Sequence, residues 1–252
     1  MSQRRPNPQA IELDRRIIFL HIPKTAGTSI VRFFRNRLPA EQVSSHGDFT
    51  KIRGTQAERL AALSRFRFLS GHFGYDDVAE LLPESYSFTF LRDPIDRSIS
   101  LFRFMTWPKA QELIPSARVA MELGVENFFS SARPMVTEII ENTQTWHLAA
   151  NYWHQDRQLL SHLGDDELLA MAKEHLASFD LVGTTETFDA DFAQILRELD
   201  ISEPPSLIHH HKTPKTMAEQ TIPDAAIQAI RERTPLDSQL YDYVCELRGT
   251  GG

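Results

Sequence analysis

The sequence predicts an α/β fold, a mainly parallel central sheet flanked by helices in a single domain. Residues 17–22 (IIFLHI) form a nearly continuous apolar run, which suits a strand covered on both faces. Strand-like segments then alternate with segments whose apolar residues recur at helical spacing, the pattern of strand–helix–strand units. The chain has 252 residues, and one core of that size buries about 70–75% of the unfolded surface without disulfide or metal staples.

Taken in order, the first strand at 17–22 leads through a loop at 23–27 into a helix over 28–38. Ile30, Val31, Phe33, Phe34 and Leu38 lie on one side of that helix. Further strands are expected at 66–70 and 87–91. After the latter, Asp93 is a good N-cap and Pro94 fits the first helical position, where its missing N–H costs nothing. Ile95, Ile99 and Phe102 are the expected buried stripe of the helix they open. Helices are predicted over 119–129, 135–150 and 165–177, then a short strand at 180–183. The next helix carries Phe188, Phe192, Ile195, Leu196 and Leu199 at helical spacing. A polar loop at 206–216 precedes helices at 224–233 and 238–247. The main domain is expected over 16–248, between an N-terminal extension at 1–15 and a flexible tail at 249–252.

Composition excludes several classes. Hydrophobic residues are 41% and charged residues 24% of the chain, ordinary globular usage, so disorder and fibrous structure are out. The 27 Lys and Arg against 34 Asp and Glu give a net charge of −7, which disfavours a nucleic-acid coat while leaving room for a local basic pocket. A single cysteine, Cys245, excludes a disulfide framework and a multi-thiolate metal site. No run approaches the ~18 apolar residues of a membrane span, and no apolar stretch follows the basic N-terminal residues as a secretory signal requires. The expected location is cytoplasmic.

The chemistry gathers in two loops. His21-Ile22-Pro23-Lys24-Thr25-Ala26-Gly27-Thr28-Ser29 leaves the first strand and opens a helix. Backbone N–H groups at a helix start attract anions. Lys24 adds a full charge, and Thr28 and Ser29 add hydroxyl donors. This is a phosphate-type cradle but not a Walker A loop, because the lysine precedes the glycine. The second is Phe90-Leu91-Arg92-Asp93-Pro94, with Ser100 eight residues after Arg92; arginine suits forked contacts with phosphate oxygens. The alternative is that Arg92 pairs with Asp96 and Ser100 merely packs.

The first loop closely resembles the 5′-phosphosulfate loop of sulfotransferases that use 3′-phosphoadenosine-5′-phosphosulfate (PAPS), in the form found in carbohydrate sulfotransferases. Arg92 and Ser100 match that family's 3′-phosphate pair. Ser70-Gly71-His72-Phe73-Gly74-Tyr75 is similar to the glycine–histidine segment of uronic-acid (heparan sulfate) 2-O-sulfotransferases, and 181–188 (LVGTTETF) has a family look. His209-His210-His211-Lys212-Thr213 resembles their late basic loop over the nucleotide, although Lys212 stands where relatives often carry Arg or Asn. The resemblance spans roughly residues 16–245 and implies a P-loop-NTPase-like sheet, PAPS as donor, 3′-phosphoadenosine-5′-phosphate (PAP) as product and no metal requirement. It implies Lys24, Thr25, Ala26, Gly27, Thr28, Ser29, Arg92, Ser100, Lys212 and Thr213 as nucleotide contacts, His72 as catalytic base, and Asn142 and Gln144 as acceptor contacts.

Sulfuryl transfer in line from a phosphate to an acceptor oxygen needs charge neutralisation at the leaving phosphate, fixed donors around the phosphosulfate, and a base for the acceptor proton. Lys24, the backbone from Thr25 to Ser29, and His72 fill these positions, and an imidazole with an ordinary pKa of about 6.5 suits neutral pH. Asp76, Asp77, Glu138 and Glu141 are the competing acid–base groups, most simply solvated carboxylates. Three consecutive imidazoles at 209–211 are poorly arranged for one metal ion, and His147 and His154 lack an evident third ligand. Arg32, Arg35 and Arg37, with Arg65 and Arg67, could attract an acidic glycan or merely form a solvated face. Trp107, Trp146 and Trp153 could stack on a sugar or adenine, or lie in the core. The acceptor is expected to be a small molecule or glycan, cytosolic or lipid-linked, with no nucleic-acid partner. Two alternatives stand: a nucleotide phosphotransferase, disfavoured by the missing Walker A glycine and the lack of a clear magnesium-binding carboxylate, and a catalytically silent nucleotide- or glycan-binding protein.

Overall fold

The structure is a computed structural model that describes residues 10–44, 55–108, 110, 114–150, 157–158, 160–202 and 221–249. Its centre is a four-stranded sheet of β1 (Arg16–Leu20), β2 (Phe68–Gly71), β3 (Ser85–Leu91) and β4 (Leu181–Thr184). The strands run parallel in the order β2-β1-β3-β4. Ten helices surround it among the described residues: α1 (Gly27–Arg35), α2 (Gln56–Leu63), α3 (Pro94–Met105), α4 (Pro115–Phe128), α5 (Pro134–Ile140), α6 (Thr143–Ala149), α7 (Asp165–Leu176), α8 (Phe188–Glu198), α9 (Asp224–Arg233) and α10 (Pro235–Leu247).

The continuous apolar run of β1 is explained by its two covered faces. Ile17 and Phe19 join α1 and α8 in one core cluster, through Ile30, Phe33, Phe34, Phe192 and Ile195. Ile18 and Leu20 join α6, α7 and α10 on the other face, through Leu148, Leu169, Ala172 and Leu240. A third cluster sits off the sheet among α3, α4, α5 and α9. β3 alternates instead. Tyr86, Phe88 and Phe90 face α1 and α8, while Thr89 on the other face is fully buried and donates its hydroxyl to the Leu20 carbonyl at 2.9 Å. Because β2 lies on one side of β1 and β3 on the other, the chain reverses its winding between β1 and β3. In open α/β sheets the crevice beyond the strand ends at that point receives ligands.

Four local expectations change. The predicted helix 135–150 is two helices, α5 and α6, broken at Asn142, whose φ of 44° is left-handed. α3 buries Pro94, Arg97, Ser98, Leu101, Phe102 and Met105 rather than a stripe through Ile95 and Ile99, which are only partly covered. Arg97 is fully buried there, donating to the Ile139 carbonyl at 3.1 Å. α2 was not expected, although Thr55 and Glu58 form a capping box at its start. The helix expected at 119–129 begins earlier, at Pro115, and is kinked at Gly124. The Asp93 cap forms as expected, its carboxylate accepting from the Asp96 N–H at 2.9 Å. The loop at 206–216 lies outside the described residues.

Candidate active site

β1 ends at Leu20, and Pro23 in the loop beyond has no N–H to carry a ladder onward. The loop then winds with left-handed φ at two non-glycine residues, Lys24 at 75° and Ala26 at 68°, each at a cost of roughly 1–3 kcal/mol. Turns of this kind bring successive N–H groups to face one concavity. Thr25 is fully buried, and its hydroxyl donates to the Ile22 carbonyl at 2.9 Å, tying the loop back on itself. The Ser29 N–H donates to the Ala26 carbonyl at 3.2 Å, closing the first turn of α1. That N–H is therefore engaged within the loop, and the Ser29 hydroxyl remains its means of reaching a ligand. Gly27 has a steric reason: a Cβ there would lie 1.9 Å from the His21 ring.

Lys24 is half-buried, its ammonium 4.3 Å from the centre of the Phe104 ring on α3. Burial, and then the like charge of Arg92, lower its pKa to about 8. Arg92 follows the end of β3, and its Nη1 donates to the Lys24 carbonyl at 3.4 Å. The Arg92 guanidinium thus lies against the Lys24 backbone at the sheet's reversal point, close enough for its charge to act on the Lys24 ammonium. Two like charges held together in a half-buried crevice repel each other until an anion joins them, so the arrangement favours an anionic ligand. Ser100 is half-buried on α3, about 9 Å along the axis from Pro94.

His72 follows β2, one residue past its end. Its Nδ1 lies 2.6 Å from the His21 carbonyl. Since a carbonyl only accepts, Nδ1 carries the hydrogen and Nε2 of the neutral ring presents a lone pair. The His72 and His21 rings are 4.5 Å apart, and His21 stacks in turn on Phe19 at 5.1 Å. A cleft of about 340 Å³ opens here, with His21, His72 and Gly71 on one wall and Thr28, Arg32 and Arg35 of α1 on the other. His72 therefore shares a cleft with the start of the helix that the lysine loop opens. His147 is fully buried, with Nδ1 donating to the Thr143 carbonyl at 2.7 Å. Burial keeps its pKa well below the usual imidazole range, and the charge of His72 acts in the same direction.

Other candidates are occupied inside the protein. The Gln144 amide pairs with the backbone of Arg92, and the Asn142 side-chain Oδ1 accepts from the Leu236 N–H at 2.9 Å at the start of α10. Asp77 is buried, ion-paired with Arg59, and accepts from the Gly74 N–H. Glu141 is ion-paired with Arg233 at 2.6 Å. Arg37 is buried, donates to the Phe33 carbonyl at 3.1 Å and lies over the Phe33 ring, so it is not part of an exposed basic face. Trp107 is exposed, and Trp146 packs against the core beneath Arg157. Lys212, Thr213, the histidines at 209–211, Trp153 and His154 lie outside the described residues. Two contributors were not expected from the sequence. Phe104 looked like one more apolar residue of a helix, and the Gln144–Arg92 pairing joins residues 52 apart with no local signal.

No helix among the described residues is long and apolar enough to cross a membrane. A comparison with curated proteins returns no match. A family model described as the sulfotransferase family matches residues 10–244, which takes in the Lys24 and Arg92 loops, the His72 segment and the whole sheet. The chain belongs to the sulfotransferase family.

Proposed function

We propose that this protein transfers the sulfuryl group of PAPS in line to a hydroxyl of a carbohydrate or glycoconjugate, releasing PAP. The bond from sulfur to the 5′-phosphate oxygen breaks as the bond from sulfur to the acceptor oxygen forms. The acceptor proton passes to Nε2 of His72, and the charge left on the phosphate is met by the Lys24 ammonium and the N–H groups of the loop. The 3′-phosphate of the donor is assigned to Arg92 and Ser100.

The observation that carries this reading is the adjacency of Lys24 and Arg92, with Nη1 at 3.4 Å from the Lys24 carbonyl, at the reversal point between β1 and β3. One anion-binding loop alone would fit many nucleotides. A second cation beside it fits a nucleotide phosphorylated at two separate positions. The cleft beside His72 supports a sugar-sized acceptor, and Arg32 and Arg35 on its wall are compatible with an acceptor that carries negative charge.

The test combines titration calorimetry with labelled-sulfate transfer from PAPS to a panel of mono- and oligosaccharide acceptors. PAP is expected to bind at least about tenfold more tightly than ATP, a difference of about 1.4 kcal/mol, and label is expected to appear on at least one acceptor. Tighter binding of ATP would favour a phosphotransferase. Tight PAP binding with no transfer to any acceptor would favour a silent binding protein.

A further inference from the structure

We propose that Gln144 is a positioning residue that holds the Arg92 guanidinium at its ligand and so sets the preference for a nucleotide bearing a 3′-phosphate. The inference rests on the reading of Arg92 given above. Gln144 is fully buried. Its Oε1 accepts from the Arg92 N–H at 2.9 Å, and its Nε2 donates to the Arg92 carbonyl at 2.9 Å. A primary amide paired in this way imitates a neighbouring strand. It extends the ladder one residue past the end of β3 on the side opposite β4, where the Thr185 N–H donates to the Leu91 carbonyl at 3.0 Å.

Gln144 is itself anchored. Its N–H donates to Asp237 at 3.2 Å, and the Thr145 N–H and hydroxyl donate to the same carboxylate at 2.8 and 2.9 Å. The Asp237 N–H donates in turn to the Asn142 side chain at 3.3 Å. Asp237 is fully buried at the start of α10. The path runs from α10 through the start of α6 to the backbone of Arg92, and it fixes the Cα from which a long side chain must reach. Among the described residues the guanidinium has one intraprotein hydrogen bond, to the Lys24 carbonyl, and its Nε has no partner. Its direction is therefore governed by the backbone that Gln144 holds.

The experiment is calorimetry of wild type, Gln144→Met, Arg92→Ala and the double variant, each with PAP and with adenosine 5′-phosphate, which lacks the 3′-phosphate. Gln144→Met keeps the length of the side chain and removes both hydrogen bonds. It is expected to weaken PAP about tenfold, as misplacement of a binding group does, while adenosine 5′-phosphate stays within about twofold of wild type. The double variant should bind PAP no more weakly than Arg92→Ala, because the two residues act as one unit. A merely structural role would weaken both nucleotides equally and would overturn the proposal. So would an unchanged PAP preference in Gln144→Met while Arg92→Ala loses it. Failure of Arg92→Ala to change that preference would instead overturn the assignment of Arg92 itself. Should Gln144→Met not fold, Gln144→Leu, which is also neutral and removes both hydrogen bonds, carries the same expectations.

Discussion

Replacing His72 with alanine is expected to lower the turnover number by about 10²–10⁴-fold, the usual contribution of a positioned acid–base group, while PAP binds within about twofold of wild type. The two effects separate because the imidazole lines the cleft proposed for the acceptor and is not part of the lysine loop. The 2.6 Å bond from Nδ1 to the His21 carbonyl fixes the tautomer, so that in the neutral ring Nε2 is the nitrogen left to accept the proton. A His72→Asn variant can retain the contact to that carbonyl but has no basic nitrogen, so it should be as inactive as the alanine variant. Turnover near wild type in both, measured by single-turnover sulfate transfer, would remove His72 from the chemistry. The carboxylates at Asp77 and Glu141 are poor substitutes, since each is already paired with an arginine.

Lys24→Ala is expected to cost about 10²–10³-fold in turnover, comparable with loss of one oxyanion donor. Its pH dependence is a sharper signature. Burial and Arg92 lower the Lys24 pKa to about 8 in the free enzyme, so the ammonium is present below that pH and is lost as pH rises through it. kcat/KM for the donor reports the free enzyme and should therefore fall about tenfold per pH unit above the break. kcat at saturating donor should hold to higher pH, because a bound dianion keeps the proton on the amine. Lys24→Arg, with a group that stays charged, should move the break beyond pH 10 whatever its absolute rate. A flat kcat/KM from pH 7 to 9.5 in the wild type would contradict this role.

The parts of the fold written in short stretches of sequence were legible there. The apolar run of β1, the Asp93 cap with Pro94 behind it, and the spacing of Phe188, Phe192 and Ile195 in α8 each announce themselves within a turn or a strand. The Thr55–Glu58 capping box was equally local, and α2 was readable from it. What escaped depends on partners far along the chain. The break at Asn142 interrupts a stretch with helical periodicity because the Asn142 side chain caps α10, more than 90 residues away. Arg97 turns inward where carbonyls of α5 receive it and the charge of Asp237 favours its own, so α3 is rotated from the face that its apolar residues suggested. The candidate site divides in the same way. Lys24, Arg92 and His72 were readable as loop residues after strands. That His72 meets His21 and Arg92 meets the Lys24 backbone is a product of the strand order β2-β1-β3, which no local signal carries, and the hold of Gln144 on Arg92 is visible only once α6 is packed against the end of β3.

The most direct measurement is a crystal structure of the protein with PAP. The 5′-phosphate is predicted within hydrogen-bonding distance of the Lys24 ammonium and the N–H groups at the start of α1, and the 3′-phosphate within reach of the Arg92 guanidinium and the Ser100 hydroxyl. A nucleotide bound elsewhere, or bound with only one of its two phosphates at this pair of cations, would contradict the account.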